Sequence, residues 1–315
     1  SQIVVFQQLQ LAALHAIRQQ QFVSVGIENA LRVTETAQQR QTGLIPQALQ
    51  DAVADAAGAD HTVSIAYSGG LDSRFLAFVS KFLGYRVRLL HVAGPHMAPS
   101  ETAQAVADAR AMGIEPELIM ANPLGITDLA SAGKNRCYVC KHHVFTELLA
   151  RTTDKKLCDG TNKDDLSVYR PGRKALAELG IYSPLAKAGF GKKEIRATAA
   201  KLEMPRPDQA ARPCLLTRFP YGVMPDEATL KLTAAAEDWV EAQPECAHLR
   251  FRLRFPDPAR PYHAELHVEE KSLEGLSKAT VDAVAERLKA RFAPDLNDLT
   301  VRVMVKLSGF YDRAN

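Results

Sequence analysis

Apolar residues fall along this chain in three styles, and each predicts a different kind of structure. Up to about residue 57 the sequence is rich in Gln and Ala, and Leu9, Ala12, Leu14 and Ile17 form a weak stripe at helical spacing. Residues 1–57 therefore read as a helical N-terminal extension without chemistry of its own. From Val63 onward, short apolar runs alternate with amphipathic stretches. Strands are predicted at Val63–Tyr67, Val87–Val92, Glu117–Met120 and Lys156–Gly160, the last ending in a loop. Helices are predicted at Phe75–Leu83, Ser100–Met112 and Tyr138–Leu149. Strand–helix alternation predicts an α/β domain over residues 58–222, a parallel sheet with helices on both faces. Ligands of such sheets sit beyond the carboxyl ends of the strands. After Gly222 the pattern changes to strict alternation at Leu249–Phe255, His263–Glu269 and Leu299–Leu307. Asp226 is placed to cap a helix running to about Gln243, and Val281, Val284, Ala285, Leu288 and Phe292 mark another. Residues 223–315 thus read as a small α+β domain whose sheet has one apolar and one polar face.

Composition narrows the class. At 315 residues, 46% hydrophobic and 24% charged, the chain has the usage of a globular protein large enough for two domains. The net charge of +3 argues against a nucleic-acid partner held by bulk electrostatics. The charge is uneven, however: Lys134 to Arg218 holds 18 Lys/Arg against 9 Asp/Glu, a local excess of +9 that suits an anionic ligand. Five cysteines, an odd number in a long chain, argue against a disulfide framework. No apolar run is long enough to span a membrane, and Ser1–Phe6 lacks the basic start of a signal peptide. A cytoplasmic location is the expectation.

Two signatures carry chemistry. Ser68-Gly69-Gly70-Leu71-Asp72-Ser73 lies between the first strand and the first helix. Two glycines allow a tight turn whose N–H groups form an anion nest, and the helix N-terminus adds positive potential. Ser68 and Ser73 offer hydroxyls, while Asp72 either orients the loop or holds Mg²⁺. No Gly-Lys-Ser/Thr follows, so this is not a Walker A loop. The second signature is Cys137-Tyr138-Val139-Cys140 at a helix start, with Cys214 further on. Three thiolates can hold a [4Fe–4S] cluster with one iron open, or supply three of zinc's four ligands. A redox Cys-x-x-Cys would not need the third cysteine. Cys158 reads as packing, and Cys246 is assigned no role. Glu237, one heptad after Leu230, is a candidate buried acid. Arg252, Arg254 and Glu265 share the polar sheet face if their strands pair as a hairpin. His263 and His267 on that face read as surface histidines, with a nickel or zinc pair as the alternative. His142 and His143 read as ordinary helix residues.

The Ser68–Ser73 motif resembles the PP-loop of ATP pyrophosphatases, which implies cleavage between the α- and β-phosphates and an adenylated substrate. Three further stretches, Asp159-Gly160-Thr161-Asn162-Lys163-Asp164-Asp165, Tyr169-Arg170-Pro171-Gly172 and Arg212–Gly222, complete a resemblance over about residues 60–310 to the LarE-type sulfur transferases. Those enzymes make the nickel-pincer cofactor of lactate racemase. The resemblance implies that ATP adenylates a carboxylate of pyridinium-3,5-biscarboxylic acid mononucleotide and that sulfur then displaces AMP to leave a thiocarboxylate. It implies ATP at Ser68, Gly69, Gly70, Asp72, Ser73, Thr161 and Asn162, and substrate at Arg218, Arg252, Arg254 and Glu265. Catalytic roles would fall to Cys214, Glu237 and Asp72. In single-cysteine members a cysteine at the position of Cys214 gives up its own sulfur. This chain also carries the Cys-x-x-Cys, so it resembles the three-cysteine branch, in which Cys137, Cys140 and Cys214 hold a [4Fe–4S] cluster. Sulfide or another sulfur donor and a homo-oligomer, a hexamer in the family, are the implied partners. The competing reading is a [4Fe–4S]-dependent tRNA 2-thiolation enzyme, which combines the same loop with three cysteines.

Overall fold

The computed structural model describes residues 42–152, 156–167 and 171–313. Most of the predicted extension, and Tyr169 and Arg170 of the quoted motifs, lie outside the described residues. The end of the extension is described as helix α1, Gln47–Ala56. Its Leu49, Val53 and Ala56 are buried in one cluster with Val63, Ile65 and Phe75, so the core of the first sheet reaches back before residue 58.

The first sheet has four parallel strands, β1 Thr62–Ala66, β2 Arg86–Ala93, β3 Glu117–Met120 and β4 Leu157–Cys158, in the order β3-β2-β1-β4. Successive side chains point to opposite faces, so each face needs its own cover. Val63 and Ile65 pack with Phe75 and Leu76 of helix α2, Leu71–Phe82, and with Ala105 and Ala109 of helix α3, Pro99–Ala111. On the other face, Leu90, Ile119 and Leu157 pack with Val144 and Leu148 of helix α4, Arg136–Ala150. Helices therefore cover both faces, as the alternation predicts, in a PP-loop-like α/β fold. Helix α2 starts at Leu71 instead of Phe75. Gly70 takes the extended cap position, which draws Asp72 and Ser73 into the first turn. Short helices α5 Lys163–Leu166, α6 Pro171–Glu178 and α7 Pro184–Lys187 follow β4, then α8 Lys192–Lys201.

The second unit opens with helix α9, Glu227–Glu241, whose cap Asp226 accepts from Thr229 N at 2.7 Å. Strands β5 Phe251–Arg254, β6 His263–Glu269 and β7 Asp298–Met304 form a mixed sheet, antiparallel between β5 and β6 and parallel between β6 and β7. Helix α10, Lys278–Arg291, makes the crossover that the parallel pair requires. Its Val281, Val284, Ala285 and Leu288 bury against Leu253, Leu266 and Val268. This second core is not confined to residues beyond 222. Ala98, Leu129, Leu215, Leu216 and Phe219 belong to it, so the loop bearing Cys214 packs with the small unit, Cys214 included.

The polar face of the small sheet departs from expectation. After β7 the chain turns at Gly309 and lays Phe310 across that face, 4.6 Å from the His267 ring and 4.7 Å from the Arg254 guanidinium. His267 is consequently buried, and His263 is buried too; neither is the surface histidine read from the alternation. Alternation identifies which residues share a face but carries no information about a tail that closes over it.

Candidate functional site

The loop after β1 is closed by its own hydroxyls. Ser73 Oγ lies 3.1 Å from Ser68 Oγ, accepts from Ser68 N at 3.2 Å and donates to Gly70 O at 3.2 Å. Gly69 has φ +75°, and a Cβ there would lie 2.4 Å from Ala105 Cβ. Glycine is thus required for both the dihedral and the approach of α3. Gln209 donates to Gly69 O at 3.2 Å. Asp72, on the first turn of α2, accepts from Lys192 Nζ at 2.5 Å and from Asn162 Nδ2 at 3.1 Å. Asn162 also caps α5 through its Oδ1, which accepts from Asp164 N and Asp165 N. Thr161 is turned to Asp159, to which its hydroxyl donates. The loop after β4 is seated directly on the loop after β1, since a Cβ on Gly160 would come within 2.8 Å of Ser73 N. All the residues predicted for the nucleotide therefore gather at the carboxyl edge of the sheet.

The cysteines converge as well. Cys137 and Cys140 occupy the first turns of α4, and Cys214 caps the 3-10 turn Leu215–Arg218. All three are half-buried. Burial pushes the Cys140 thiol up to about 12, and the charges of Cys214 and Cys137 add to the effect. Cys214 is raised too, first by burial and then by Cys137. Nearby Arg136 opposes both shifts, joined by Lys141 at Cys140 and by Arg218 at Cys214. The thiols are close enough to feel one another's charge, yet among the described residues no three His, Cys, Asp or Glu form a ready-made metal site. Three thiols beside cations suit an anionic, sulfur-ligated group, because a metal supplies the positive charge that keeps buried thiolates deprotonated.

Arg136 bridges the two cysteine-bearing segments. It is 4% exposed and donates to the carbonyls of Leu216 (2.8 Å), Phe219 (3.3 Å) and Pro220 (3.1 Å), with its guanidinium 5.0 Å from the Tyr221 ring centroid. From the other side, Leu215 N donates at 2.8 Å to the carbonyl of His96, in the loop after β2. His96 is 7% exposed, its Nδ1 has no partner among the described residues, and burial holds its pKa down at about 4. The ring is therefore neutral at pH 7.

The acids and arginines predicted for substrate already have partners within the fold. Glu237, 2% exposed, accepts from Arg218 Nε at 2.7 Å, Arg218 Nη2 at 2.8 Å and Leu253 N at 2.9 Å. Arg218 Nη1 donates to Pro213 O at 3.1 Å, next to Cys214. Arg212 donates to Asp238 at 2.6 Å and Glu241 at 3.0 Å, and its Nε lies 3.8 Å from Glu101. Burial raises Glu101 to about 7 despite Arg212 and Arg218. On the small sheet Arg254 pairs in register with Glu265, and Arg252 with His267. Arg254 Nη2 donates to Leu307 O at 2.5 Å and Nη1 to His267 Nδ1 at 3.0 Å, leaving His267 Nε2 to donate to Glu265 at 2.5 Å. Burial, then Arg218 and Arg254, pull Arg252 down to about 9. Arg252 and Arg254 thus converge on the tail carbonyl Leu307 O, at 3.4 and 2.5 Å. His142 and His143 line a cleft of about 460 Å³ along α4 with Ile126, Tyr138 and Val139.

Arg136, Lys192, Gln209 and His96 have roles that the sequence reading did not assign. Arg136 sits beside the quoted Cys137, and Lys192 at a helix start, so adjacency was the available signal. Their partners are 80 or more positions away and leave no periodic trace.

Fold and site together define an α/β protein of PP-loop-like fold, with a glycine turn and a cysteine-bearing loop at one sheet edge. No family model matches the chain. An uncharacterized protein of Synechocystis sp. is 39% identical over 162 residues, 50% of this chain and 60% of that protein. An uncharacterized protein of Methanocaldococcus jannaschii is 32% identical over 163 residues, 50% of this chain and 61% of that protein. Pyridinium-3,5-bisthiocarboxylic acid mononucleotide synthase of Lactiplantibacillus plantarum is 28% identical over 185 residues, 57% of this chain and 67% of that protein. The chain spans about three fifths of the length of the first two relatives.

Proposed function

We propose that this chain is an ATP-dependent sulfur transferase acting on a carboxylate of a pyridinium-type mononucleotide; its Lactiplantibacillus relative is named as a pyridinium-3,5-bisthiocarboxylic acid mononucleotide synthase. The observation that carries the reading is the bond from Leu215 N to His96 O, which ties the residue after Cys214 to the carboxyl edge where the Ser68–Ser73 loop opens. Activation and sulfur delivery would then share one cleft. The substrate carboxylate attacks the α-phosphorus of ATP and pyrophosphate leaves. Hydrosulfide attacks the acyl carbonyl, AMP leaves, and the released proton goes to solvent, giving the thiocarboxylate.

The loop N–H groups and Lys192 would hold phosphates, and Asp72 is the carboxylate available to Mg²⁺. A [4Fe–4S] cluster held by Cys137, Cys140 and Cys214 would supply an iron that carries the sulfide. Arg136 and Arg218 fix the backbone on either side of Cys214. Neutral His96 offers a hydrogen bond without adding charge. For the mononucleotide's anionic groups to reach Arg252 and Arg254, the tail carbonyl of Leu307 must give way.

The test is anaerobic turnover with ATP, sulfide and the biscarboxylate mononucleotide. Equal yields of AMP, pyrophosphate and thiocarboxylate support the reading. A protein that ignores the mononucleotide but shifts and thiolates tRNA replaces it with the tRNA-thiolation reading. Among the described residues no helix is long and apolar enough to cross a membrane.

A further inference from the structure

We infer that Arg136 is a positioning residue that locks the Cys-x-x-Cys helix onto the Cys214 loop, so that the three thiols form one site only while its guanidinium bridges the two segments. The inference rests on the sulfur-transfer reading for its purpose but not for its geometry. Arg136 directly precedes Cys137, at the first position of α4. Its side chain leaves that helix and ends on three carbonyls, Leu216, Phe219 and Pro220, all within six residues of Cys214. No sheet or helix ladder joins these segments, which lie some 80 positions apart. The planar fork of arginine supplies several donors in fixed directions, whereas a lysine offers one rotatable ammonium. The Tyr221 ring lies against the guanidinium and packs it from one side. Cys140 and Cys214 both border the second core, but apolar contacts have little direction, so the guanidinium fork is what fixes the spacing of the two segments.

The experiment uses the full chain, reduced, metal-free and anaerobic, treated with dibromobimane, which joins only neighbouring thiols; the linked peptides are quantified by mass spectrometry. The Cys137–Cys140 link lies within one helix and serves as the internal standard. In the wild type, links from Cys214 to Cys137 or Cys140 are expected at comparable yield. In Arg136→Ala their yield relative to the standard should fall at least tenfold, and in Arg136→Lys to an intermediate value with the melting temperature kept close to wild type. Should Arg136→Ala fail to fold, the Arg136→Lys ratio decides. An unchanged ratio in the variants, or no Cys214 link in the wild type, overturns the inference. A wild type that links Cys214 yet binds no iron on anaerobic reconstitution refutes the cluster and leaves the role of Arg136 standing.

Discussion

Glu237→Gln is the substitution whose outcome the structure determines most sharply. The carboxylate is buried and uses both oxygens, one shared between Arg218 Nε and Leu253 N, the other taken by Arg218 Nη2. Glutamine keeps the shape but removes the charge and points an N–H₂ at either a guanidinium nitrogen or a backbone N–H. Arg218, 1% exposed, then remains buried without its anion. Breaking one side of a buried pair costs on the order of 3–5 kcal/mol, a large share of the 5–15 kcal/mol that holds a typical domain together. Part of the loss passes to the Cys214 loop, because Arg218 Nη1 holds Pro213 O. Urea unfolding followed by circular dichroism should show a clearly lowered midpoint at unchanged slope. The double replacement Arg218→Met with Glu237→Leu should recover most of the stability while Pro213 O stays without its Arg218 partner. If Glu237→Gln alone lies within about 0.5 kcal/mol of wild type, the pair is not the buried clamp described, since that is the range of ordinary surface substitutions.

Gly69→Ala should destabilise by more than Gly84→Ala: both have φ near +80°, but only Gly69 has a neighbour within 4 Å of the added carbon, so the difference between their unfolding midpoints measures the clash with Ala105. Glu101 takes up its proton more readily in the fold, at about 7 against about 4.5 unfolded, so its favourable contribution below pH 4.5 is lost as pH rises through 7. Glu101→Gln should therefore gain stability on the wild type between pH 5 and pH 8, by at most about 3 kcal/mol, and an advantage that does not grow with pH would place the carboxyl in water. Lys192→Ala should alter stability by less than about 1 kcal/mol, because the lysine is over a third exposed, yet weaken ATP binding in equilibrium dialysis; unchanged affinity would leave Lys192 as a partner of Asp72 alone.

What the sequence revealed and what it hid follow from the range of the interactions involved. Apolar runs and strict alternation are local, so the four parallel strands, the shared face of Arg252, Arg254 and Glu265 and the Asp226 cap were all legible. The glycine loop was legible because its geometry is written in six adjacent residues. The clamp on Cys214 was not, because Arg136 and Arg218 act on backbone carbonyls, which every residue possesses. The tail over His267 was equally hidden, since nothing in the alternation of β6 records what later covers it. Burial of Leu215, Leu216 and Phe219 in the second core was also invisible, as a short apolar cluster reads the same whichever core it joins.

That last point bears on how the site can work. Cys214 is carried by a loop whose apolar residues belong to one core, while its hydrogen bonds run to His96 and Arg136 on elements of the other. The joint between the units is strongly charged: Arg212 reaches Glu101 on α3 and Asp238 and Glu241 on α9, and Ser100 donates to Asp238 at 2.8 Å. An apolar joint of equal area would tolerate sliding, because dispersion contacts have little direction. Hydrogen-bonded charges do not tolerate it, since a displaced guanidinium loses the alignment of its fork with each carboxylate. The charge at this joint therefore serves orientation more than stability. It fixes the small unit against the sheet edge, so that the cysteine loop and the glycine loop address the same space.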